Sequence, residues 1–329
     1  MTNPIDWSHR TKRLAAYAAT WLIWGSTYLA IRFGVETIPP FLMAGVRSVA
    51  AGAILCAWAL LRGDERPSAA QWRSAAAAGA LFFLVGHGGL FWAEQRVPSG
   101  PSALFVATEH LWIVLLAWAL PGGRRPSPRA WAGIALGLGG VALLTLGGPG
   151  SGTVDPLGAA VILLCALAWA VGLTWFRGAR RPESDAYAAG TPLVAGGAML
   201  MLASILLGEP GRVEAADLTP LALGSLVYLI VFGSVVAFTA LTWLTRKEGP
   251  SRSASYTYVN PLVAVALGAA FADERLTARV LLAGIAIVLA VVLIISGSAV
   301  QEDAAERARS TRRARSGPAA AARLREGEA

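Results

Sequence analysis

Long apolar segments separated by short polar connections make up most of this chain. Ten such segments can be drawn, each close to the roughly 20 residues that a membrane-spanning helix needs. Their approximate bounds are 14–34, 40–61, 73–93, 99–120, 128–147, 156–176, 185–207, 219–244, 250–271 and 277–297. The pattern therefore predicts an all-α polytopic membrane protein with ten transmembrane helices.

The second half of the chain repeats the first. With a shift of 145 positions Trp24 falls on Trp169, and with a shift of 151 positions Glu109 falls on Asn260. Because five spans are an odd number, the second half must enter the membrane from the opposite side, which predicts two inverted five-helix repeats with a substrate site between them. The predicted parts are a cytoplasmic N-terminus (1–13), a first repeat (14–147), a linker (148–155), a second repeat (156–298) and a disordered basic cytoplasmic tail (299–329).

Composition and charge agree with this layout. Of the 329 residues, 55% are hydrophobic and only 15% are charged, whereas soluble domains contain roughly a quarter charged residues. Lys and Arg number 22 in the termini and the connections on their side, against five on the other side. The positive-inside rule therefore predicts a multi-pass protein of the cell membrane with both termini in the cytoplasm.

The partners expected from this pattern are the lipid bilayer, a small-molecule substrate and, if transport is coupled, protons. The net charge of +8 is explained by topology, so no nucleic-acid partner is expected. Cys56 and Cys165 each lie alone in an apolar run, which favours two buried thiols over a disulfide or a metal site. No cofactor is expected.

The fourth span has a carboxyl group near its middle. Glu109 lies in an apolar run where an ionised acid costs several kcal/mol, and such acids usually face a protein cavity and mark a substrate or ion path. Ser102 and Trp112 share its helical face by spacing. Glu109 is therefore the candidate for proton coupling or for binding a cationic substrate. The alternative is a structural pair with Arg47 or a histidine.

The ninth span has the clearest polar face. Ser253, Tyr256, Thr257 and Asn260 follow the spacing i, i+3, i+4, i+7, so they lie along one side of a helix that is otherwise apolar. We favour a cavity wall for this face. The alternative is hydrogen bonding between packed helices, in which Ser and Thr are common.

Aromatic and basic residues of other spans complete the predicted cavity. Trp24, Tyr28 and Trp169 lie deep enough to bind aromatic or cationic groups, although packing alone would also explain them. Arg47 either reaches an interface, neutralises the acid of the fourth span or holds a substrate carboxylate. His87 lies between glycines of the third span and is a further candidate. The glycine-rich fifth span predicts close helix packing, inside the bundle or in a homodimer.

Three stretches resemble the EamA-type family of the drug/metabolite transporter superfamily. They are WGSTYLAIRFGV (24–35), PPFLMAGVRSVAAGAIL (39–55) and SRSASYTYVNPLVAVALGAAFADERLTARVLLAGIAIV (251–288). The resemblance covers about residues 14–298. It implies a carrier of the cytoplasmic membrane, commonly an exporter of amino acids, metabolites or drugs, with a central cavity between the halves.

The first repeat departs from the family pattern at two places. Pro261 is expected to break the helix of the ninth span. The fourth span has His110 at the matching position, so no break is expected there. The sequence Gly-Gly-Arg at 122–124 stands where the second half has Asp-Glu-Arg at 273–275.

The sequence thus predicts a secondary active transporter of small metabolites, such as amino acids, amines or drug-like compounds. Export is the favoured direction, and Glu109 is the candidate for proton coupling. An uncoupled facilitator or exchanger is the alternative within transport. A membrane-embedded enzyme is disfavoured because the chain has no HExxH, GxSxG or P-loop motif. A structural or sensory membrane protein would leave the polar faces as packing contacts.

Overall fold

The computed structural model describes residues 7–120, 125–146, 154–176, 178–214, 216–248 and 255–297. Within these ranges nine helices are long and apolar enough to cross a membrane. They are α1 (Arg10–Gly34), α2 (Pro40–Leu61), α3 (Ala69–Ala93), α4 (Ser99–Ala119), α5 (Pro128–Thr145), α6 (Pro156–Trp175), α7 (Asp185–Leu206), α8 (Pro220–Leu244) and α10 (Ala278–Gly297). A shorter apolar helix, α9 (Tyr256–Phe271), lies between α8 and α10. The predicted polytopic all-α fold is confirmed.

Local sequence signals explain where α3 begins. It starts at Ala69, four residues before the predicted boundary, because Ser68 and Gln71 form a capping box in which each side chain bonds the main chain of the other. The start predicted for the ninth span lies outside the described residues, as do most of the linker and the whole C-terminal tail.

Helices α2 and α7, which are equivalent in the two repeats, are in backbone contact. A Cβ atom on Gly52 would lie 2.8 Å from the nitrogen of Val194 and 2.9 Å from the carbonyl oxygen of Gly190. A Cβ on Gly197 would lie 2.8 Å from the nitrogen of Val49. Gly52 and Gly197 occupy matching positions in the repeats, so the duplication places the same close contact twice along this helix pair.

Gly133, Gly137 and Gly140 of α5 face α10. A Cβ on Gly133 would lie 2.8 Å from the carbonyl oxygen of Ala290, and one on Gly140 would lie 2.7 Å from Cγ1 of Ile287. Of the two predicted uses of this glycine face, the structure shows packing inside the bundle.

Several spans depart from regular α-helix. Three contain π-helical segments, at Ala19–Ile23 in α1, Ala80–His87 in α3 and Leu229–Val236 in α8. The segments in α3 and α8 are each eight residues long and lie in the third helix of each repeat. Helix α4 is divided into Ser99–Val106 and Glu109–Ala119. π-Helical segments are often found at functional sites.

The break in α4 is the reverse of what the proline pattern predicted. Helix α9 continues through Pro261, which removes a single backbone donor. In α4 the bonding changes at Thr108, whose N–H donates to the carbonyl oxygen of Phe105 at 3.1 Å and whose carbonyl accepts from Leu111 N–H at 2.9 Å. The Thr108 hydroxyl also donates to Phe105 at 2.6 Å. These local bonds form a turn that ends the first half of α4.

Candidate functional site

A cavity of about 310 Å³ lies between the two repeats. Helices α1, α2, α3, α4, α6, α7, α8 and α9 all contribute to its walls, and the irregular segments of α3, α4 and α8 border it. Nine of the predicted site residues line it, namely Trp24, Tyr28, Arg47, His87, Glu109, Trp169, Tyr256, Thr257 and Asn260. The sequence did not single out further lining residues such as Thr27, Phe83, Cys165, Gly233, Ser234 and Phe238.

Two predicted residues, Ser102 and Trp112, do not line this cavity, and a third is not described. Ser253 lies outside the described residues. Ser102 is fully buried, and its hydroxyl donates to the main-chain oxygen of Val97 at 3.4 Å. Trp112 has a buried ring N–H with no hydrogen-bond partner among the described residues. For Ser102 the prediction assumed one continuous helical face, and the break before Glu109 interrupts that face.

Trp24 and Trp169 occupy matching positions in the two repeats, and each contacts a π-helical segment of the other repeat. The indole N–H of Trp24 donates to the carbonyl oxygen of Gly233, in the π-helical segment of α8, at 2.9 Å. Its ring meets Tyr256 edge-on at 4.7 Å between centroids. Trp169 stacks on His87, in the π-helical segment of α3, at 5.5 Å and an interplanar angle of 23°. Each repeat thus contributes a tryptophan to the cavity wall, and each tryptophan contacts an irregular helix, α8 for Trp24 and α3 for Trp169.

Arg47 is buried inside the bundle. Its Nε donates to the hydroxyl of Ser234 at 3.1 Å, and this hydroxyl donates to the carbonyl oxygen of Leu229 at 3.0 Å. Its guanidinium carbon lies 5.7 Å from the ring centroid of Phe91. No ion pair within 4.0 Å joins it to a carboxylate in the described part of the chain. Arg47 therefore neither reaches the interface nor pairs with Glu109.

Glu109 is the first residue of the second half of α4 and is 7% exposed. At a helix N-terminus the backbone dipoles favour a negative charge. Its Oε1 lies 3.6 Å from Nδ1 of His110, which is too far for a hydrogen bond. Glu109 is thus a buried acid beside the cavity, and the imidazole of His110 lies within 4.0 Å of it.

Asn260 connects the polar face of α9 to α1. With its amide oriented to suit its neighbours, it donates to the main-chain oxygens of Tyr256 at 3.0 Å and Trp21 at 3.1 Å. The Trp21 indole in turn donates to the hydroxyl of Ser255 at 3.1 Å. Asn260 thus both lines the cavity and joins α9 to α1.

A buried acid at the end of α3 was not predicted. Glu94 directly follows α3 and is 0% exposed, and neither of its carboxyl oxygens has a hydrogen-bond partner among the described residues. Burial, and then the Glu274 carboxylate, raise the pKa of Glu94 well above its usual range, against the opposing effect of Arg32 and Arg47. A polar residue at the end of an apolar run is usually assigned to an exposed connection, so the sequence gives no signal for it.

Comparison with known proteins points to one family. The EamA-like transporter family matches residues 14–146 and 156–296. The inner membrane transporter YedA of Escherichia coli K12 is 42% identical over 284 residues, covering 86% of this chain and 90% of its own. The transporter sll0355 of Synechocystis PCC 6803 is 26% identical over 305 residues, covering 84% and 88%. A crystal structure that covers 86% of this chain and 96% of its own has a TM-score of 0.58 at 24% identity, which shows a shared fold.

Apolar helices in two matching halves around a central cavity are the architecture of polytopic membrane transporters with repeated halves. The family match extends over both halves and most of the chain. The chain belongs to the EamA-like transporter family, and it is a multi-pass membrane transporter of a small-molecule substrate. The family resemblance noted in the sequence is confirmed.

Proposed function

We propose that the protein is a proton-coupled exporter of small amino-acid-like metabolites, with both termini in the cytoplasm. The observation that supports this most is the position of Glu109, a buried acid on the wall of the cavity at the start of a half-helix. Half-helix ends at the midplane are frequent substrate and ion sites in transporters with repeated halves.

The charged groups of the cavity suggest the class of substrate. Arg47 and Glu109 line the same cavity without pairing with each other within 4.0 Å. A guanidinium matches a carboxylate, and a carboxylate matches an ammonium group. The rings of Trp24, Trp169 and Tyr256 add apolar walls that also attract cations. A small zwitterion with an apolar side chain satisfies all of these groups.

Coupling follows from competition for one carboxyl group. A proton and a substrate ammonium cannot both neutralise the Glu109 carboxylate, so binding of one displaces the other. If each crosses the membrane bound to the protein, the inward movement of a proton drives the outward movement of substrate. In the alternative, an uncoupled facilitator or exchanger, Glu109 stays ionised. Its place at a helix N-terminus favours that alternative.

Ligand binding at two pH values tests the proposal. Amino acids such as phenylalanine, simple amines and tetraphenylphosphonium are added to purified protein near pH 6 and near pH 8, and the melting temperature is followed. We expect a ligand with an ammonium group to stabilise the wild type more near pH 8, because fewer protons compete for Glu109. Glu109→Gln should weaken binding and remove this pH dependence.

A matched control keeps the comparison specific. Glu65→Gln changes an exposed acid in the connection between α2 and α3 and should behave as the wild type. If Glu109→Gln binds the same ligand with the same pH dependence as the wild type, Glu109 is not the coupling residue. Proton uptake by proteoliposomes on addition of that ligand then separates coupled transport from facilitation.

A further inference from the structure

Glutamates of the connections bind the first turns of other helices on the side of the membrane opposite to both termini, called here the distal side. Glu274 accepts hydrogen bonds from Ser99 N–H at 2.6 Å, Ser99 Oγ at 2.7 Å and Gly100 N–H at 3.0 Å. Glu209 accepts hydrogen bonds from Phe41 N–H at 3.3 Å and Leu42 N–H at 2.7 Å. These contacts fasten the α9–α10 connection to α4 and the α7–α8 connection to α2. Each contact joins one repeat to the other, and we take these contacts together as the distal closure.

Glu94 lies five residues before the Ser99 contact and has no such donors. Both oxygens of its carboxyl group are buried and without hydrogen-bond partners among the described residues. The nearest cation bonds a different atom, because Nη1 of Arg32 donates to the main-chain oxygen of Glu94 at 2.9 Å. No ion pair within 4.0 Å involves the Glu94 carboxylate in the described part of the chain.

The charges that face Glu94 come from separate elements. Arg32 and Tyr28 belong to α1, Arg47 belongs to α2, and Glu274 belongs to the α9–α10 connection. Two cations would favour the ionised form of Glu94. Removal from water and the neighbouring Glu274 carboxylate oppose it, and an ionised carboxylate without a donor is strongly disfavoured inside a protein. Its burial without a donor and the raised pKa therefore favour the protonated form of Glu94 in this arrangement.

We propose that Glu94 is a second proton-binding site of the transporter, separate from the cavity, and that it controls the distal closure. While the distal side is closed, the carboxyl group keeps its proton. When the Ser99–Glu274 contacts open, the proton passes to water on the distal side and the carboxylate pairs with Arg32. Uptake of a proton from that side reverses these steps. The inference rests on the proposed function only in requiring alternating access, and it does not require Glu109 to be the coupling residue.

Chemical labelling of a buried position tests the closure directly. Val97 lies between Glu94 and Ser99 and is 0% exposed, so Val97→Cys reports opening by its reaction with a charged thiol reagent. Purified full-length protein is labelled near pH 6 and near pH 8.5. Protein without this substitution measures the background from Cys56 and Cys165.

We compare how much the labelling rate rises from pH 6 to pH 8.5 in two variants. The rise should be several-fold larger in Val97→Cys alone than in Val97→Cys combined with Glu94→Gln. The paired comparison removes the pH dependence of the thiol itself. Adding Glu65→Gln instead, which changes an exposed acid outside the cavity, should leave the rise intact. If Glu94→Gln gives the same rise as its parent, Glu94 does not control the closure and the proposal is overturned.

A second variant covers the case in which Glu94→Gln does not fold. Arg32→Gln removes the cation that neutralises the ionised acid, so the rise in labelling should move to higher pH. An unmoved transition overturns the proposal. Infrared spectra of the wild type should also show a protonated carboxyl band that titrates with the labelling transition, and a band that Glu109→Gln alone removes counts against Glu94. None of these measurements uses a substrate, so their outcome is independent of the binding test for Glu109.

Discussion

Replacing Glu274 by glutamine tests the contact that joins the α9–α10 connection to α4. The side chain accepts three hydrogen bonds from Ser99 and Gly100, and Ser99 is 0% exposed. Glutamine keeps one acceptor oxygen but turns an NH₂ group toward donors and removes the charge. Charge-assisted bonds are roughly twice as strong as neutral ones, and a buried donor without a partner costs about 1–3 kcal/mol. We expect Glu274→Gln to lower the free energy of unfolding by about 3 kcal/mol.

Reversible unfolding in mixed detergent and dodecyl sulfate micelles, followed by circular dichroism, measures this free energy. The control is Asp273→Asn, which removes a charge from the adjacent, exposed residue. Asparagine tolerates the positive φ of 51° found there, so the control adds no backbone strain. If Glu274→Gln and Asp273→Asn differ by less than about 0.5 kcal/mol, within the range of ordinary surface substitutions, the bonds to α4 do not contribute as argued.

Further predictions follow from packing, hydrogen bonding and charge. A Cβ on Gly79 would lie 2.7 Å from the nitrogen of Gly196, so Gly79→Ala should abolish recovery of folded protein in size-exclusion chromatography. A Cβ on Gly139 would have no atom within 4 Å, so Gly139→Ala should be neutral or stabilise by up to about 1 kcal/mol. Equal yields of folded Gly79→Ala and Gly139→Ala would contradict the packing argument. Trp24→Phe removes the N–H donor to a buried carbonyl and should cost about 1–2 kcal/mol in the same unfolding assay, whereas no change would show that the bond contributes nothing. Because burial raises the pKa of Glu94, the folded protein keeps a proton that the unfolded chain releases, and stability falls as the pH rises above the usual range of a glutamate. The melting temperature of Glu94→Gln should therefore rise relative to that of the wild type from pH 5 to pH 8. A difference between the two that stays constant over this range would refute the argument.

The membrane spans and the position of the cavity could be predicted because the bilayer imposes strong constraints on the sequence. A span needs about 20 apolar residues, so polar residues such as Glu109 and Arg47 stand out within one. The repeat then indicates which residues of the two halves correspond. Trp24 and Trp169 were identified in this way, and the structure places both on the cavity wall.

The irregular helices and the contacts between distant residues could not be predicted. A π-helical segment has no composition of its own, and the turn at Thr108 depends on bonds that any threonine could make. The expected alignment of Ser102 with Glu109 failed for this reason. Glu94 was missed because its neighbours come from α1, α2 and the α9–α10 connection, which are far away in the sequence.

The π-helical segment of α3 also determines which side chains of that helix can reach the cavity together. An α-helix turns by about 100° per residue, so deleting one residue from Ala80–His87 would restore regular geometry and rotate one part of the helix against the other. Phe83 and His87, which both line the cavity, would then no longer share a wall. The segment therefore sets a fixed rotation between the two parts of α3. The part before it packs against Gly196 of α7, while the part after it keeps its own orientation toward the cavity.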